Sequence, residues 1–365
     1  MCIRDRNKIY HIADVHVRNV KRHTEYKEVF KRLYSYIKKT KVDNDVIYVA
    51  GDIVHAKTDM SPELIDIVSE FFTNLADLLP TIIILGNHDC NLNNSYRLDA
   101  LSPIVNAINH KNIHYLKDNG IYEVQGVHFN VMGVDEKPIN YIKAADFDGE
   151  YKIALHHGSV HNASTDAGFT LSNTHVTTDI FTGHDLTLLG DIHKPQYLDE
   201  DKTIAYAGSL IQQNHGEVLG HGIMVWDLKT KKSEIVQIKN DYGYYTYEVD
   251  NGKILNPNPN IPKKPRLRFK VKDTDSGTLK QIIADVKSKY KVQDITIQKT
   301  NAINTTDAQN KINFGNVRDV EWQNEVITEY LSDTFALDDT LLDTIRHINR
   351  NVHSKLPTDQ VTRNI

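Results

Sequence analysis

Five short apolar, β-branched runs among the first 190 residues of the chain each close on residues that bind metals. They are 9–13, followed by Asp14-Val15-His16; 46–50, by Gly51-Asp52-Ile53-Val54-His55; 81–85, by Gly86-Asn87-His88-Asp89; 152–155, by His156-His157-Gly158; and 186–189, by Gly190-Asp191-Ile192-His193. Between them, 21–40, 62–79 and 95–109 have helical length, and Ser61-Pro62 makes a good N-cap and first-turn pair. Strands alternating with helices predict an α/β fold. In such a sheet the carboxyl ends of parallel strands share one rim, so ligands far apart in sequence converge there.

Side chains two apart, as in Asp14/His16 and Asp191/His193, approach one ion from the same loop. Carboxylates, imidazoles and one amide oxygen form a borderline-hard donor set that suits Mn, Fe or Zn and argues against a thiolate site. With seven candidate ligands two ions are the natural count, one carboxylate must bridge, and Asp52 is the central choice. Two such ions clamp the attacking and leaving oxygens of a displacement at phosphorus. A lone Asp-x-His is more often a satisfied loop pair than a ligand, but five pieces each closing a strand are not accidental. Alternation aims only one of His156 and His157 at the metals. His11, inside a strand, reads as a buried core histidine, and His184, which precedes a strand, as part of a surface turn.

Composition adds limits and one asymmetry. The chain has 365 residues, 40% apolar and 25% charged, with 2 Cys and a net charge of -5. That suits one large or two to three ordinary domains. Two cysteines cannot build a disulfide framework, and no apolar run is long enough for a membrane helix, so a cytoplasmic setting is expected, bacterial or phage-infected. Residues 1–7 read as a non-native leader. Residues 1–261 carry -8, whereas 262–299 carry +7, so a basic segment lies inside an acidic protein. Sixteen of the 18 histidines precede residue 222, which places imidazole chemistry in the first part.

From Gly120 the chain turns β-rich at 121–124, 128–134, 203–206 and 222–227, which predicts a second sheet. The Pro/Asn run Asn256-Pro257-Asn258-Pro259-Asn260 punctuates the chain. A strand (266–271), a helix (278–290) and a strand (294–298) follow as a small β-α-β module. Residues 301–317 read as a polar linker, and 318–365 as two amphipathic helices. The expected division is 8–240, 241–300, 301–317 and 318–365.

Taken in order, Asp-x-His, Gly-Asp-x-x-His, Gly-Asn-His-Asp, a strand-closing His and Gly-x-x-His resemble the calcineurin-like metallophosphoesterase superfamily. Gly190-Asp-Ile-His-Lys-Pro-Gln196 and Tyr206-Ala-Gly-Ser-Leu210 are similar to the SbcD-type double-strand-break repair nucleases, and Gly208-Ser-Leu-Ile-Gln-Gln-Asn-His-Gly-Glu217 to the phage recombination endonuclease subunit. The resemblance implies a four-layer α/β/β/α sandwich with a β-α-β capping domain and a helical C-terminal tail. It implies that Asp14, His16 and His193 hold one divalent ion and Asn87, His156 and Asp191 the other, with Asp52 bridging; Mn²⁺ is the first expectation, Mg²⁺ or Fe²⁺ the next. It implies His88 as proton donor oriented by Asp89, and His55 near the scissile phosphate. The family's usual Gly-His-x-His is Gly-Asp-x-His here, so Asp191 replaces an imidazole with a harder oxygen ligand.

Two metals alone do not select a substrate. Lys263, Lys264, Arg266, Arg268 and Lys270 alternate with apolar residues along one strand, a row that suits phosphate contacts or merely protects a solvated edge. In SbcD-like enzymes the module in this position helps seat DNA. The resemblance also names an SbcC-like coiled-coil ATPase as partner of the tail, with Trp322, Val326, Tyr330, Leu341, Ile345 and Ile348 as contacts, and a homodimer through the nuclease domain. The expected activity is DNA exonuclease and single-strand endonuclease action in recombination and repair. The alternatives are a phosphatase or nucleotide phosphodiesterase on the same site, and a scaffold that no longer turns over.

Overall fold

The computed structural model describes residues 8–299 apart from Ser95 and Asn173, together with Asn324, 343–345 and His347. In chain order the elements are β1 (Lys8–Ile12), α1 (His23–Thr40), β2 (Val46–Val49), α2 (Pro62–Leu78), β3 (Thr81–Ile83), α3 (Ser102–Ile108), β4 (Ile113–Tyr115), β5 (Gly120–Val124), β6 (Val127–Met132), β7 (Lys152–His157), β8 (Leu186–Gly190), β9 (Gln196–Tyr197), β10 (Ile204–Tyr206), β11 (Gly222–Asp227), β12 (Lys232–Gln237), β13 (Tyr242–Asp250), β14 (Lys253–Ile254), β15 (Lys264–Lys272), α4 (Ser276–Lys289) and β16 (Asp294–Lys299).

Two six-stranded sheets, ordered β12-β11-β1-β2-β3-β4 and β5-β6-β7-β8-β10-β9, form the sandwich. Ile9, Tyr48, Ile82, Phe129, Leu155 and Leu188 pack together as the core between them. Strand alternation sends Tyr10, Ile12, Ile47 and Val49 to the opposite face, where they meet α1 and α2. Helix α2 buries Leu64, Ile67, Val68, Phe71, Phe72 and Leu75 at helical spacing. Its first turn is capped as the sequence indicates, the Ser61 hydroxyl accepting the Leu64 N–H at 3.3 Å. The mixed α/β sandwich is the expected one. Its fourth layer consists of loops and short 3₁₀ turns, among them Thr178–Phe181, which cover Met132, Ala154, Leu189 and Tyr206.

Two expectations change. The five ligand-bearing strands do not share one sheet: β1, β2 and β3 lie in the first and β7 and β8 in the second, so the rims of two packed sheets meet at the site. The helix expected over 95–109 is only Ser102–Ile108. Pro103 cannot occupy a helix interior but fits its first turn, and Asp99 caps that turn by accepting the Leu101 and Ser102 N–H groups.

The small module is larger than β-α-β. Strand β13 pairs in parallel with β15 along nine residues, β15 with β16, and the whole is a four-stranded sheet carrying α4. The Pro/Asn run therefore lies inside the module, as the connection from β14 to β15. Sandwich and module belong to one compact unit ending at Lys299, and a second unit begins at Thr300. The linker 301–317 and Trp322, Val326, Tyr330, Leu341 and Ile348 lie outside the described residues; Ile345 is helical and half-buried. No described helix is long and apolar enough to cross a membrane.

Candidate metal centre

Three of the five strands, β1, β2 and β8, release their ligands at sharp turns. Asp14, His16, Asp52 and Asp191 all have positive φ, at 50°, 48°, 52° and 100°. Four non-glycine residues in this costly region within one site mark a place where the surroundings override local preference. The loops are also zipped together: the His16 and Val17 N–H groups donate to the Asp52 and Ile53 carbonyls at 2.9 and 2.8 Å, and the His55 N–H donates to the Val17 carbonyl at 3.0 Å.

Asp52 stands at the centre. Its Oδ2 lies 3.5 Å from His16 Nε2 and its Oδ1 3.3 Å from His157 Nε2, so the two carboxylate oxygens face two different clusters. On one side Asp14, His16 and His193 bring ligand atoms within 4.8 Å of one another, with His16 Nε2 and His193 Nε2 3.1 Å apart. On the other side Asp14, Asp52 and His157 do the same. Asp191 Oδ1 lies 4.0 Å from His157 Nε2 and 3.2 Å from the Asn87 amide nitrogen.

Of the two adjacent histidines on β7, the structure turns His157 rather than the expected His156 toward the cluster. Ile153, Leu155 and His157 share the face of β7 that looks between the sheets, whereas Ala154 and His156 share the outer face. His156 therefore packs its ring near Tyr141 and Phe181 and donates Nδ1–H to the Met132 carbonyl at 2.9 Å. Burial lowers its pKa to about 4. His157 donates Nδ1–H to the Ala50 carbonyl at 2.6 Å, which leaves Nε2 aimed at Asp52. A Cβ on either Gly51 or Gly190 would come within 2.7 Å of His157 Nδ1, so both positions must be glycine for this ring to fit.

A second correction concerns His88. Its Nδ1–H donates to the His55 carbonyl at 2.7 Å, and that carbonyl, not Asp89, fixes the ring. Asp89 is fully buried and accepts the Ile53, Val54 and Gly86 N–H groups, tying the Asp52 loop to the Asn87 loop. Burial, then Asp52, raises its pKa to about 7. His88 also donates its backbone N–H to Asp52 Oδ1 at 2.8 Å.

One residue escaped the motifs. Glu217, with a nearly buried side chain, accepts His193 Nδ1–H at 2.8 Å and so turns Nε2 toward the metals. The signal was its position at the end of the Gly208–Glu217 run, which no spacing rule connects to His193. Glu217 is fixed in turn by the Gln213 N–H at 2.6 Å and the Asn214 amide at 2.7 Å.

Electrostatics match a site built for cations. Burial raises the pKa of Asp14, with Asp52 and Asp191 adding to it against the pull of His157 and His193. For His157, burial opposes the charged form, but Asp52, Asp14 and Asp191 override it and raise the pKa to about 10. His193 rises to about 9 despite burial, through Glu217, Asp14 and Asp52. Without metal, protons hold these carboxylates together. The donor set fits two divalent ions: the His157 and His193 imidazoles with their outer nitrogens tied off, the His16 ring with Nε2 inward, an amide, and a carboxylate with one oxygen toward each cluster. Asp14, His16, His193 and Asp52 would hold one ion, and Asp52, Asn87, His157 and Asp191 the other.

The proposed DNA-contact row divides. Lys264 and Arg266 pair with Glu28 and with the buried Glu25 on α1, each at 2.8 Å, so they fasten the module to the sandwich. Lys263, Arg268 and Lys270 form no ion pair among the described residues. His184 sits in a turn, with Nδ1 on the Phe181 carbonyl, away from the cluster.

Residues 7–204 match the family described as calcineurin-like phosphoesterase. The uncharacterized protein R555 of Acanthamoeba polyphaga mimivirus is 45% identical over 301 residues, 79% of this chain; the chain spans only 22% of that protein's length. A 5'-nucleotidase precursor from Thermus thermophilus superposes with a TM-score of 0.34 at 12% identity, over 64% of this chain and 54% of the nucleotidase, a likeness too weak to inform the site.

Proposed function

Since the chain belongs to the calcineurin-like phosphoesterases, enzymes of metal-dependent phosphoester hydrolysis, we propose that it is a phosphodiesterase acting on DNA, of the SbcD type, with exonuclease and single-strand endonuclease activity. The observation that carries this reading is the continuity between the metal loop and β13, the strand that pairs along nine residues with the basic strand β15. Gln212, on the loop that bears Glu217, accepts the Tyr244 N–H at 2.6 Å and donates to the Tyr244 carbonyl at 3.1 Å, pairing with β13 as a peptide group would. His215 of the same loop packs against Tyr244, with ring centroids 4.9 Å apart, and senses the charge of Arg268. A polyanion leaving the metals past His193 would meet His215, Arg268 and Lys270 in turn.

Bound in this centre, two divalent ions supply Lewis acidity toward phosphoryl oxygens and make water nucleophilic near neutral pH. The chain's own residues do the rest. Asp52 fixes the spacing of the two clusters. His88, with Nδ1–H held by the His55 carbonyl, presents Nε2 toward the space beside His16 and is the group placed to deliver a proton to the departing oxygen. In this reading the tail from residue 318 binds an SbcC-like ATPase and the sandwich pairs with a second copy.

A second reading has its own observation. A cavity of about 330 Å³ lies beside Asp191 and His193, lined also by Thr165, Asp166, Lys194 and Glu217, a size suited to a nucleotide. A small-substrate phosphatase or phosphodiesterase would use it without the module. The experiment is hydrolysis of labelled single- and double-stranded DNA beside p-nitrophenyl phosphate, with Mn²⁺, Mg²⁺ or EDTA and His88→Ala as control. Metal-dependent DNA cleavage lost in His88→Ala is expected; turnover of p-nitrophenyl phosphate with intact DNA would replace the nuclease by the phosphatase.

A further inference from the structure

Most arginines near the site are committed to acids. Arg22 forks onto Glu25 through Nε and NH2 at 2.9 and 3.0 Å, Arg266 pairs with Glu25, and Arg32 pairs with Asp241. Arg18 differs. Among the described residues it forms no ion pair; its NH1 lies 3.1 Å from His55 Nε2, and its Nε is buried without a partner. A guanidinium is always protonated and only donates, so His55 Nε2 must be the acceptor and its proton sits on Nδ1. His55 is therefore not placed to give a proton to substrate from Nε2. A neutral imidazole is a weak counterpart for a permanent charge whose planar fork matches carboxylate or phosphate.

The placement is rigid. Val17 pairs with Val54 as a parallel bridge, and this fixes Arg18 beside His55. The rings of His16, His55 and His88 stand 4.8 to 5.7 Å apart, with one nitrogen of each within 4.8 Å of the others. Three imidazole rings and a guanidinium without an ion pair among the described residues thus line one side of the metal centre, with Arg18 reached through the His55 ring.

We propose that Arg18 binds the phosphate next to the scissile one in a nucleic-acid strand, releasing His55 Nε2 as it does so. This rests on the reading of the substrate as nucleic acid. The scissile phosphate belongs to the metals and His88, while Arg18 grips its neighbour and sets the register of the strand. A substrate with one phosphate has nothing to offer it.

The test is fluorescence anisotropy of a labelled single-stranded oligonucleotide with hydrolysis-resistant phosphorothioate linkages, titrated with the full-length protein in Mn²⁺ over a range of NaCl. Arg18→Ala is expected to weaken binding about tenfold at low salt and to lower the slope of log Kd against log salt by about 1, one phosphate contact. Arg18→Lys is expected to keep the slope and lose only part of the affinity. An unchanged Kd in Arg18→Ala, or a loss equal at every salt concentration, overturns the proposal, since a structural defect does not alter the number of phosphates neutralised. Bis(p-nitrophenyl) phosphate turnover by the unsubstituted protein separates the two levels. If it is hydrolysed but the oligonucleotide is not bound, the nucleic-acid reading fails and Arg18's role fails with it; if the oligonucleotide is bound and only the Arg18→Ala slope is unmoved, the nuclease reading stands alone.

Discussion

Around Asp52 the centre divides into halves held by different means. In the half of Asp14, His16 and His193, the support runs outward through side chains: His193 rests on Glu217, whose own loop is paired through Gln212 to Tyr244 of the small module. In the half of Asn87, His157 and Asp191, the support is mostly main chain and close packing, with one side-chain bond from the Ser159 hydroxyl to Asp191 Oδ2 at 2.6 Å. The Ala50 carbonyl and two obligatory glycines seat His157, and the Asn87 carbonyl accepts Lys57. The first half is therefore open to influence from the module, while the second is fixed by the rim where the two sheets meet. The second half also carries the harder donors, the Asp191 carboxylate and the Asn87 amide beside a single imidazole.

The largest effect should come from removing what the halves share. Asp52→Asn is expected to strip both ions and lower phosphoester hydrolysis by more than about 100-fold, beyond the range of a supporting residue; metal content by elemental analysis and kcat/KM measure it. Retention of two ions per chain would show that the halves do not depend on the bridge. Next comes the choice within β7. His157→Ala is expected to lose one of two ions, whereas His156→Ala should keep both and cost only about 1–3 kcal/mol of stability, as ordinary core truncations do. The opposite pattern would return the ligand role to His156.

That choice also shows where sequence stops. The motifs place Asp14, His16, Asp52, Asn87, Asp191 and His193 at one rim because each closes a strand, and the chain does bring them together. Which of two adjacent histidines faces inward depends on parity relative to the inter-sheet core, and β7 is buried on both faces, so its apolar residues carry no alternation to reveal it. His88 and Asp89 are similar: adjacency suggests a pair, but successive residues point apart, and a carbonyl 33 residues away holds the ring. Backbone partners leave no mark in residue type. Glu217 was visible only as part of a longer run, because its contact with His193 is made by folding. The basic strand was legible as charge but not as function, since Glu25 and Glu28, which take up two of its cations, lie on a helix over 200 residues earlier.

The asymmetry of support can be sharpened at Glu217. Glu217→Gln removes the charge that orients His193 but keeps the length of the side chain. It is expected to weaken one of two Mn²⁺ sites about 10- to 100-fold and leave the other unchanged, as resolved by calorimetric titration. Equal weakening of both sites would mean that the two halves share one support after all.

The smallest effect is on the pH dependence of the metal-free protein. His157 and His193 have folded pKa values raised to about 10 and about 9, above the ordinary value of 6.5. Groups raised on folding stabilise the folded chain fully below pH 6.5, and that contribution is lost as the pH climbs through 9 and 10, because the folded state then gives up protons that the unfolded state has already released. Asp14, also raised, acts in the same sense over a lower range. The melting temperature in EDTA should therefore fall by several degrees between about pH 6.5 and pH 9. With two ions bound, the same side chains are deprotonated at every pH in that window, so the slope should vanish in Mn²⁺. In Glu217→Gln the metal-free slope should be shallower, since His193 loses its strongest partner, while the part due to His157 remains; a slope untouched by this substitution would mean that His157 and Asp14 alone set the pH dependence.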